Sequence, residues 1–376
     1  MERYLPTGSE QVSLPRVNEI NAGVEDLTFL HMASRGLIDL RGGQLEPLLR
    51  PFVAQQGVEA ELGGFEWSRL GYWYLRFAAR AGALGLEGVI LTPVGERGFG
   101  YRLRLTNNGA ETVETAFGLR GQTGSAWHCV NVDKPIEGAL NCYVSGWSGL
   151  PVFEQMCGVP LFALAPICEG KCRAEFEPAG EGWLWRLERT VRLAPGERGV
   201  HRLVGPGPRG GLRRHQRPGA AAPGLGLGPA GAWPGLLRSL DLGDEALTRL
   251  CNTNLFFCIF FSHRPDAGHG GLSSSPAARR ATMSAPPTGT ATACFGAFPP
   301  CWTRTRPSRG RCSAMSSAAS GRDIGVHSRF IDGTVLEPGF ELDELMAPVL
   351  ALERYVDATG DRSVLADGRA PRQMGY

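Results

Sequence analysis

Residues 101–119, YRLRLTNNGAETVETAFGL, alternate apolar and polar side chains on both sides of Asn107, Asn108 and Gly109. A strand that buries one face has a period of two, and a tight reversal favours residues that tolerate positive φ. The stretch therefore predicts two antiparallel strands joined as a hairpin. Residues 183–204, WLWRLERTVRLAPGERGVHRLV, repeat the pattern around Pro195 and Gly196, and the aromatic-rich SRLGYWYLRF at 68–77 reads as a further strand. Successive hairpins of this kind belong in a β-sandwich, which we expect over residues 1–203.

Beyond Leu240 the period changes. In SLDLGDEALTRLCNTNLFFCIFFS, residues 239–262, Leu247, Leu250, Leu255 and Phe256 fall at helical spacing, with Asp241 or Asp244 placed to cap the start. FELDELMAPVLALERYVDATGD, residues 340–361, predicts a second helix with Leu342, Leu345, Val349, Leu352 and Val356 on one stripe. Gly360 is placed to end it in a left-handed C-terminal cap, and Pro348 implies a kink or a late start.

A chain of 376 residues with 43% hydrophobic content can bury the core of two domains or one large one. Its 39 basic and 37 acidic residues leave a net charge of +2, so no global field favours nucleic acid or an anionic membrane. The N-terminal MERYLPTGSEQVSLPRV has no apolar run, and no window approaches the roughly 20 apolar residues that span a bilayer, which predicts a cytoplasmic protein. Ten cysteines then read as reduced thiols. Cys157, Cys168 and Cys172 form the closest set, but no nearby His or second Cys pair completes a tetrahedral metal site.

Two segments fit neither pattern. Residues 204–238 hold no acidic residue, no Ser and no Thr, and from Ser273 the segment 272–320 holds no Asp, Glu, Lys, Val, Leu, Ile or Tyr. A flexible linker is the ordinary explanation of such composition, yet structureless loops this long are uncommon inside compact domains. Gly, Pro, Ala and Arg also share GC-rich codons, so a GC-rich gene read out of frame yields the same bias. With Thr288, Gly289 and Thr290 written ACT, GGG and ACC, codons begun one base earlier read TGG and GAC. The same shift turns Arg280–Thr292 into RYYVSAAYWDRD and, continued to Met315, permits GLLWSFPAVLDADPAVARAMLRYV. Acids, aromatics and aliphatics return in ordinary proportion. The opposite shift lets GPGPRGGLRRHQR at 205–217 read ALGREEDSAATSA. Arginines in 204–238 and 303–311 come without lysine and nearly without aromatic interleaving, so we expect no nucleic-acid partner.

The restored YWDRD with its aromatic helix, followed by RFIDGTVLEPGFELDELMAPVLALERYVDATGD at 329–361, resembles the (α/α)6-barrel, six-hairpin glycoside hydrolases. The likeness is to the glycogen-debranching type of α-glucosidase and to metal-independent exo-α-mannosidases. It implies an α+β multidomain chain, an N-terminal antiparallel β-sandwich followed by an incomplete (α/α)6 helical barrel whose pieces are residues 239–271 and 321–376. It also implies a carbohydrate substrate, no cofactor and no metal.

Glycoside hydrolysis needs one carboxylic acid to protonate the leaving oxygen and a second carboxylate to activate water or attack carbon. By the resemblance, Glu337 and Glu341 bind sugar hydroxyls or hold the catalytic acid, with Asp343, Arg329 and Asp332 on the same rim and His327 beside them. Carboxylates in a helix's first turn are equally what the backbone dipole favours, which applies to Glu341, Asp343 and Glu344. The WxRD-like motif expected to hold the general acid lies in the wrong frame, and the chain reaches Tyr376 after too few helices to close a barrel. We therefore expect no glycosidase activity from this polypeptide. The alternative from another class is a non-catalytic carbohydrate-binding sandwich with a disordered tail, in which Trp127, Trp147, Tyr143 and His128 of residues 126–153 stack on sugars; strand aromatics also serve cores.

Overall fold

The computed structural model describes residues 3–9, 12–31, 36–70, 74–92, 98–128, 134–146, 149–157, 159–164, 167–168, 172–206, 241–262, 326–329 and 335–340, with separate positions in 342–362. The chain forms two compact units, one of residues 1–29, 38–128 and 133–225, the other of 30–37, 129–132 and 226–376.

The described part of the first unit is built from strands. β1 (Tyr4–Gly8), β2 (Ser13–Asn18), β3 (Asp26–His31), β4 (Gly36–Arg41), β5 (Arg50–Gln55) and β6 (Val58–Glu59) come first. β7 (Gly63–Leu70), β8 (Tyr74–Ala81), β9 (Leu84–Leu91), β10 (Gly98–Asn107) and β11 (Val113–Thr123) follow. β12 (Ala126–His128), β13 (Lys134–Pro135), β14 (Ala139–Val144), β15 (Pro151–Cys157) and β16 (Val159–Leu164) lead to β17 (Ile167–Cys168), β18 (Arg173–Ala179), β19 (Gly182–Leu193) and β20 (Arg198–Pro206). They assemble into sheets ordered β1-β2-β3-β4-β12-β13, β17-β20-β10-β9-β8-β7, β18-β19-β11-β5-β6 and β14-β15-β16. The β-rich N-terminal region is thus antiparallel, as its periodicity requires.

The hairpin expected at 101–119 does not form. β10 pairs with β9 and β20, whereas β11 pairs with β5 and β19 in a different sheet. The chain steps between sheets at Asn107, and it steps back in the same way between β19 and β20 at Pro195–Gly196. Period-two alternation is the same for a hairpin and for an arch, since each strand buries one face in both cases. The difference is made by side-chain hydrogen bonds at the corner. Asn107 is fully buried; its Nδ2 donates to the carbonyls of Glu111 (2.7 Å) and Leu193 (3.0 Å), while its Oδ1 accepts from the Gly109 amide (2.9 Å). The Gly196 amide donates to the Asn107 carbonyl and the Asn107 amide to that of Glu197, so the two arches are stacked and bonded to each other.

True hairpins lie elsewhere. β8 joins β9 through Gly82 (φ 59°) and β18 joins β19 through Gly180 (φ 59°), each a Gly-first reversal between adjacent antiparallel strands. SRLGYWYLRF is likewise not one strand but the end of β7 and the start of β8, with Leu70 opposite Tyr74.

Between the sheets sits an aromatic core. Phe77, Phe99, Tyr101 and Phe117 are fully buried with Leu103, Leu105 and Leu119. A Cβ at Gly199 of β20 would stand 3.5 Å from the Phe117 ring, which shows the two sheets face to face. At Gly88 a Cβ would stand 2.0 Å from Phe77, so only glycine lets that ring lie across β9. Tyr101 donates its hydroxyl to the Ala22 carbonyl at 2.8 Å, and burial pushes its pKa up.

In the second unit, helix α1 (Glu245–Ser262) starts where expected: Asp244 Oδ1 accepts from the Leu247 amide at 2.7 Å, while Asp241 closes the preceding turn on the Gly243 amide. Residues 342, 346, 349, 350, 353, 356 and 357 are helical, and Gly360 (φ 69°) donates its amide to the Val356 carbonyl, the C-terminal cap read from the sequence. β21 (Val326–Arg329) and β22 (Val335–Phe340) form a two-stranded sheet. Among the described residues these helices do not amount to a barrel.

Candidate functional site

The residues expected at the glycosidase rim are only partly within the described structure. Arg329 ends β21 opposite Val335, and Glu337 lies in β22 opposite Ser328, so Glu337 sits on a strand rather than in the loop its Gly-containing surroundings suggest. Pro338 is tolerated there because a two-stranded sheet with irregular register leaves one side of β22 without a ladder. His327 shares β21 with Arg329. Asp332, Glu341, Asp343 and Glu344 lie outside the described residues, as does Trp147.

A second constellation, which sequence reasoning missed, lies in the first unit. Register places Arg50 of β5, Arg120 of β11 and Arg186 of β19 in one cross-strand row, with Glu175 of β18 opposite Arg186. Like charges directly opposite repel, so such a row persists only if acids interleave it. They do. Glu46 accepts from Arg50 Nε (2.6 Å) and from Arg120, Glu59 accepts from Arg120 and Arg186 (2.6 Å each), and Glu188 accepts from Arg186 Nε (2.8 Å). The Arg186 guanidinium also lies 3.7 Å from the centre of the buried Phe52 ring. These ion pairs keep some contact with solvent and are each worth on the order of 1 kcal/mol, so the main effect of this lattice is to fix where its donors and acceptors point.

Glu46 reaches the row because residues 42–49 are tied across the end of β11. Gln122 Oε1 accepts from the Leu45 amide (3.0 Å), its own amide donates to the Pro47 carbonyl (2.9 Å), and its Nε2 donates to Ala179 (3.1 Å). Gly121 permits the approach, since a Cβ there would stand 2.2 Å from the Leu48 carbonyl oxygen. The result is a concave pocket of about 350 Å³ lined by Glu46, Arg120, Glu175, Glu177, Leu184 and Arg186, with Gly121, Phe176 and Trp185 completing its wall. Each of the three arginines stands at the polar phase of its own strand, so no local pattern in the sequence joins them.

A third cluster occupies the outer side of β2, β3 and β4. Asp26 and Asp39 are 3% and 5% exposed; Arg16 Nε donates to Asp26 (2.6 Å), and Arg41 Nε and Thr28 Oγ1 donate to Asp39 (2.8 and 3.2 Å). Asp26 Oδ1 has no partner among the described residues. Burial, reinforced by the neighbouring Asp39 and only partly offset by Arg16, pushes the Asp26 carboxyl up to about 6. Trp127 lies opposite Asp39 with the Arg41 guanidinium 4.5 Å from its ring centre, so one ring face is already covered; Tyr143 of β14 is exposed.

No family model matches the sequence, and no curated protein matches it. Solved structures do. A putative kojibiose phosphorylase from the human microbiome aligns over 96% of this chain and 55% of its own at 7% identity, with a TM-score of 0.50. A putative aldose 1-epimerase from Escherichia coli K12 aligns over 55% of this chain and 99% of its own at 14% identity and TM-score 0.37. A family 36 α-galactosidase from Geobacillus stearothermophilus covers 57% of this chain and 42% of its own at 10% identity and TM-score 0.30. The chain therefore spans about half the length of the phosphorylase it is similar to, and that likeness is one of fold. All three neighbours are carbohydrate-acting proteins by name.

Proposed function

We propose that this chain belongs to a lineage of two-part carbohydrate-processing enzymes, a β-sandwich followed by a helical domain, acting on α-linked saccharides, and that the polypeptide as encoded does not cleave glycosides. The observation that carries this is the alignment to a kojibiose phosphorylase over 96% of the chain, which takes in the sandwich and the second unit together. Glu337 and Glu341 are the candidates for binding sugar hydroxyls or holding the catalytic acid, the second catalytic carboxylate being left unassigned, and Arg329, Asp332 and Asp343 are the groups proposed to hold sugar hydroxyls beside them. One carboxylic acid must donate a proton to the leaving oxygen; a second activates water, or phosphate takes the place of water in phosphorolysis. The proposed loss of activity rests on segments 204–238 and 272–320 being out of frame.

Resequencing the gene tests the frame: single-base insertions or deletions near codons 204, 238, 272 and 320 are expected. The encoded chain should turn over neither aryl α-glycosides nor kojibiose with phosphate, and a frame-repaired version should. In the repaired protein Glu341→Gln should keep the fold and lower turnover by about 10²–10⁴-fold. Hydrolysis by the purified 376-residue product would overturn the inactive assignment, and unchanged turnover in Glu341→Gln would remove that residue from the site.

A further inference from the structure

We propose that the pocket on the outer face of β18, β19 and β11 is a binding site for a neutral saccharide, separate from residues 329–343 and independent of whether the second unit is catalytic.

Three observations converge there. First, donors and acceptors share the lining: the guanidinium groups of Arg120 and Arg186 stand with the carboxylates of Glu46, Glu175 and Glu177, and ion pairs to Glu46, and to Glu59 and Glu188 outside the lining, fix the two guanidiniums in place. A pyranose presents hydroxyls that each donate and accept, so it matches a lattice of this kind without needing a net charge. Second, hydrogen-bonding capacity is left over at the pocket. Glu177, exposed on the rim, offers both carboxylate oxygens to a ligand. Third, Leu184 lies opposite Glu177 in the strand register and lines the pocket, giving an apolar patch for the C–H face of a sugar ring.

Other ligand classes fit worse. Two arginines against three glutamates in the lining repel a phosphate, a uronate or a nucleic acid. The volume of about 350 Å³ lies at the small end of ligand pockets, the size for one or two sugar rings rather than a long chain.

The test is binding by the full chain, read by calorimetry and tryptophan fluorescence, with maltose and kojibiose as probes and glucuronate and inorganic phosphate as anionic controls. Maltose or kojibiose should bind with a Kd on the order of 1 mM, as few contacts on a shallow site allow, and more tightly than either anion. Glu177→Ala, at an exposed position, should weaken binding about tenfold, and Leu184→Trp, which fills the patch, should abolish it. Thermal melts report whether each variant folds. If either does not, hydroxyl-radical footprinting of the unsubstituted chain decides: saturating maltose should protect Leu184. Absence of saccharide binding, tighter binding of glucuronate or phosphate, full affinity in both folded variants, or no protection at Leu184 would each overturn the site. Because the readout is binding and not turnover, failure here leaves the enzyme lineage untouched, and inactivity of the chain leaves this site untouched.

Discussion

The sandwich core and the helical stripes of the second unit obey the same rule of apolar periodicity, and only one of them is covered. Leu103, Leu105, Phe117 and Leu119 are fully buried between two sheets, whereas Leu247 is 48% exposed, Leu250 57%, Leu342 64% and Val349 42%. Periodicity states which face of an element wants cover. It does not state that the covering element exists. A sheet finds its cover in the next sheet of the same unit; among the described residues these helical side chains stay exposed, and apolar faces of this kind favour self-association.

The contrast is broken most severely by emptying the core. Phe117→Ala should cost about 3–5 kcal/mol in denaturant unfolding, because the two sheets close only partly over the missing ring. A loss near zero would mean the sheets do not face each other there.

Next in size is the buried acid. The unfolded chain releases the Asp26 proton near the ordinary 3.8, the folded chain near 6. Between those values the folded state binds more protons, so stability contributed by this group falls as pH rises from about 4 to 6, by on the order of 3 kcal/mol, and stays lower above. The difference in melting temperature between the parent chain and Asp26→Asn, followed across that window, isolates the effect; a parallel pair of curves would remove it.

The arch corner comes third. Asn107→Ala leaves the Glu111 and Leu193 carbonyls without their donor and should cost about 2 kcal/mol. If a hairpin could form instead, the loss would be far smaller. Smallest is the exposed stripe: Leu250→Ser should change stability by less than about 0.5 kcal/mol while reducing self-association measured by light scattering. A large destabilisation there would show that the helix face is covered after all, and would dissolve the comparison.

Much of the secondary structure was legible. β10, β11 and β19 follow their alternation, Asp244 and Gly360 cap helices where their residue types require, and the expected sandwich region is built from strands joined by turns in its described length. The arches were not, because Asn-Asn-Gly and Pro-Gly are reversal signals whichever sheet the chain enters next. The hairpin turns at Gly82 and Gly180 carry a Gly-first signal that is weaker in sequence than Asn-Asn-Gly at 107–109. Nor was the pocket legible: Arg50, Arg120 and Arg186 are far apart in sequence, and each alone is an ordinary polar position on a half-buried strand. Of the residues expected at a glycosidase rim, Arg329 and Glu337 are brought onto adjacent strands, a pairing no local pattern announces.

The sequence by itself determined which faces of the strands and helices are apolar, where two helices begin or end, and that segments 204–238 and 272–320 lack the residues of a core. Only the tertiary structure decided which strand pairs with which, that Asn107 turns a corner rather than a hairpin, and that three distant arginines and their glutamates share one pocket. The physical reason is range. Side-chain alternation and caps are set by neighbours within a few residues, while pairing and charge lattices are set by contacts between strands that the chain brings together only when it folds.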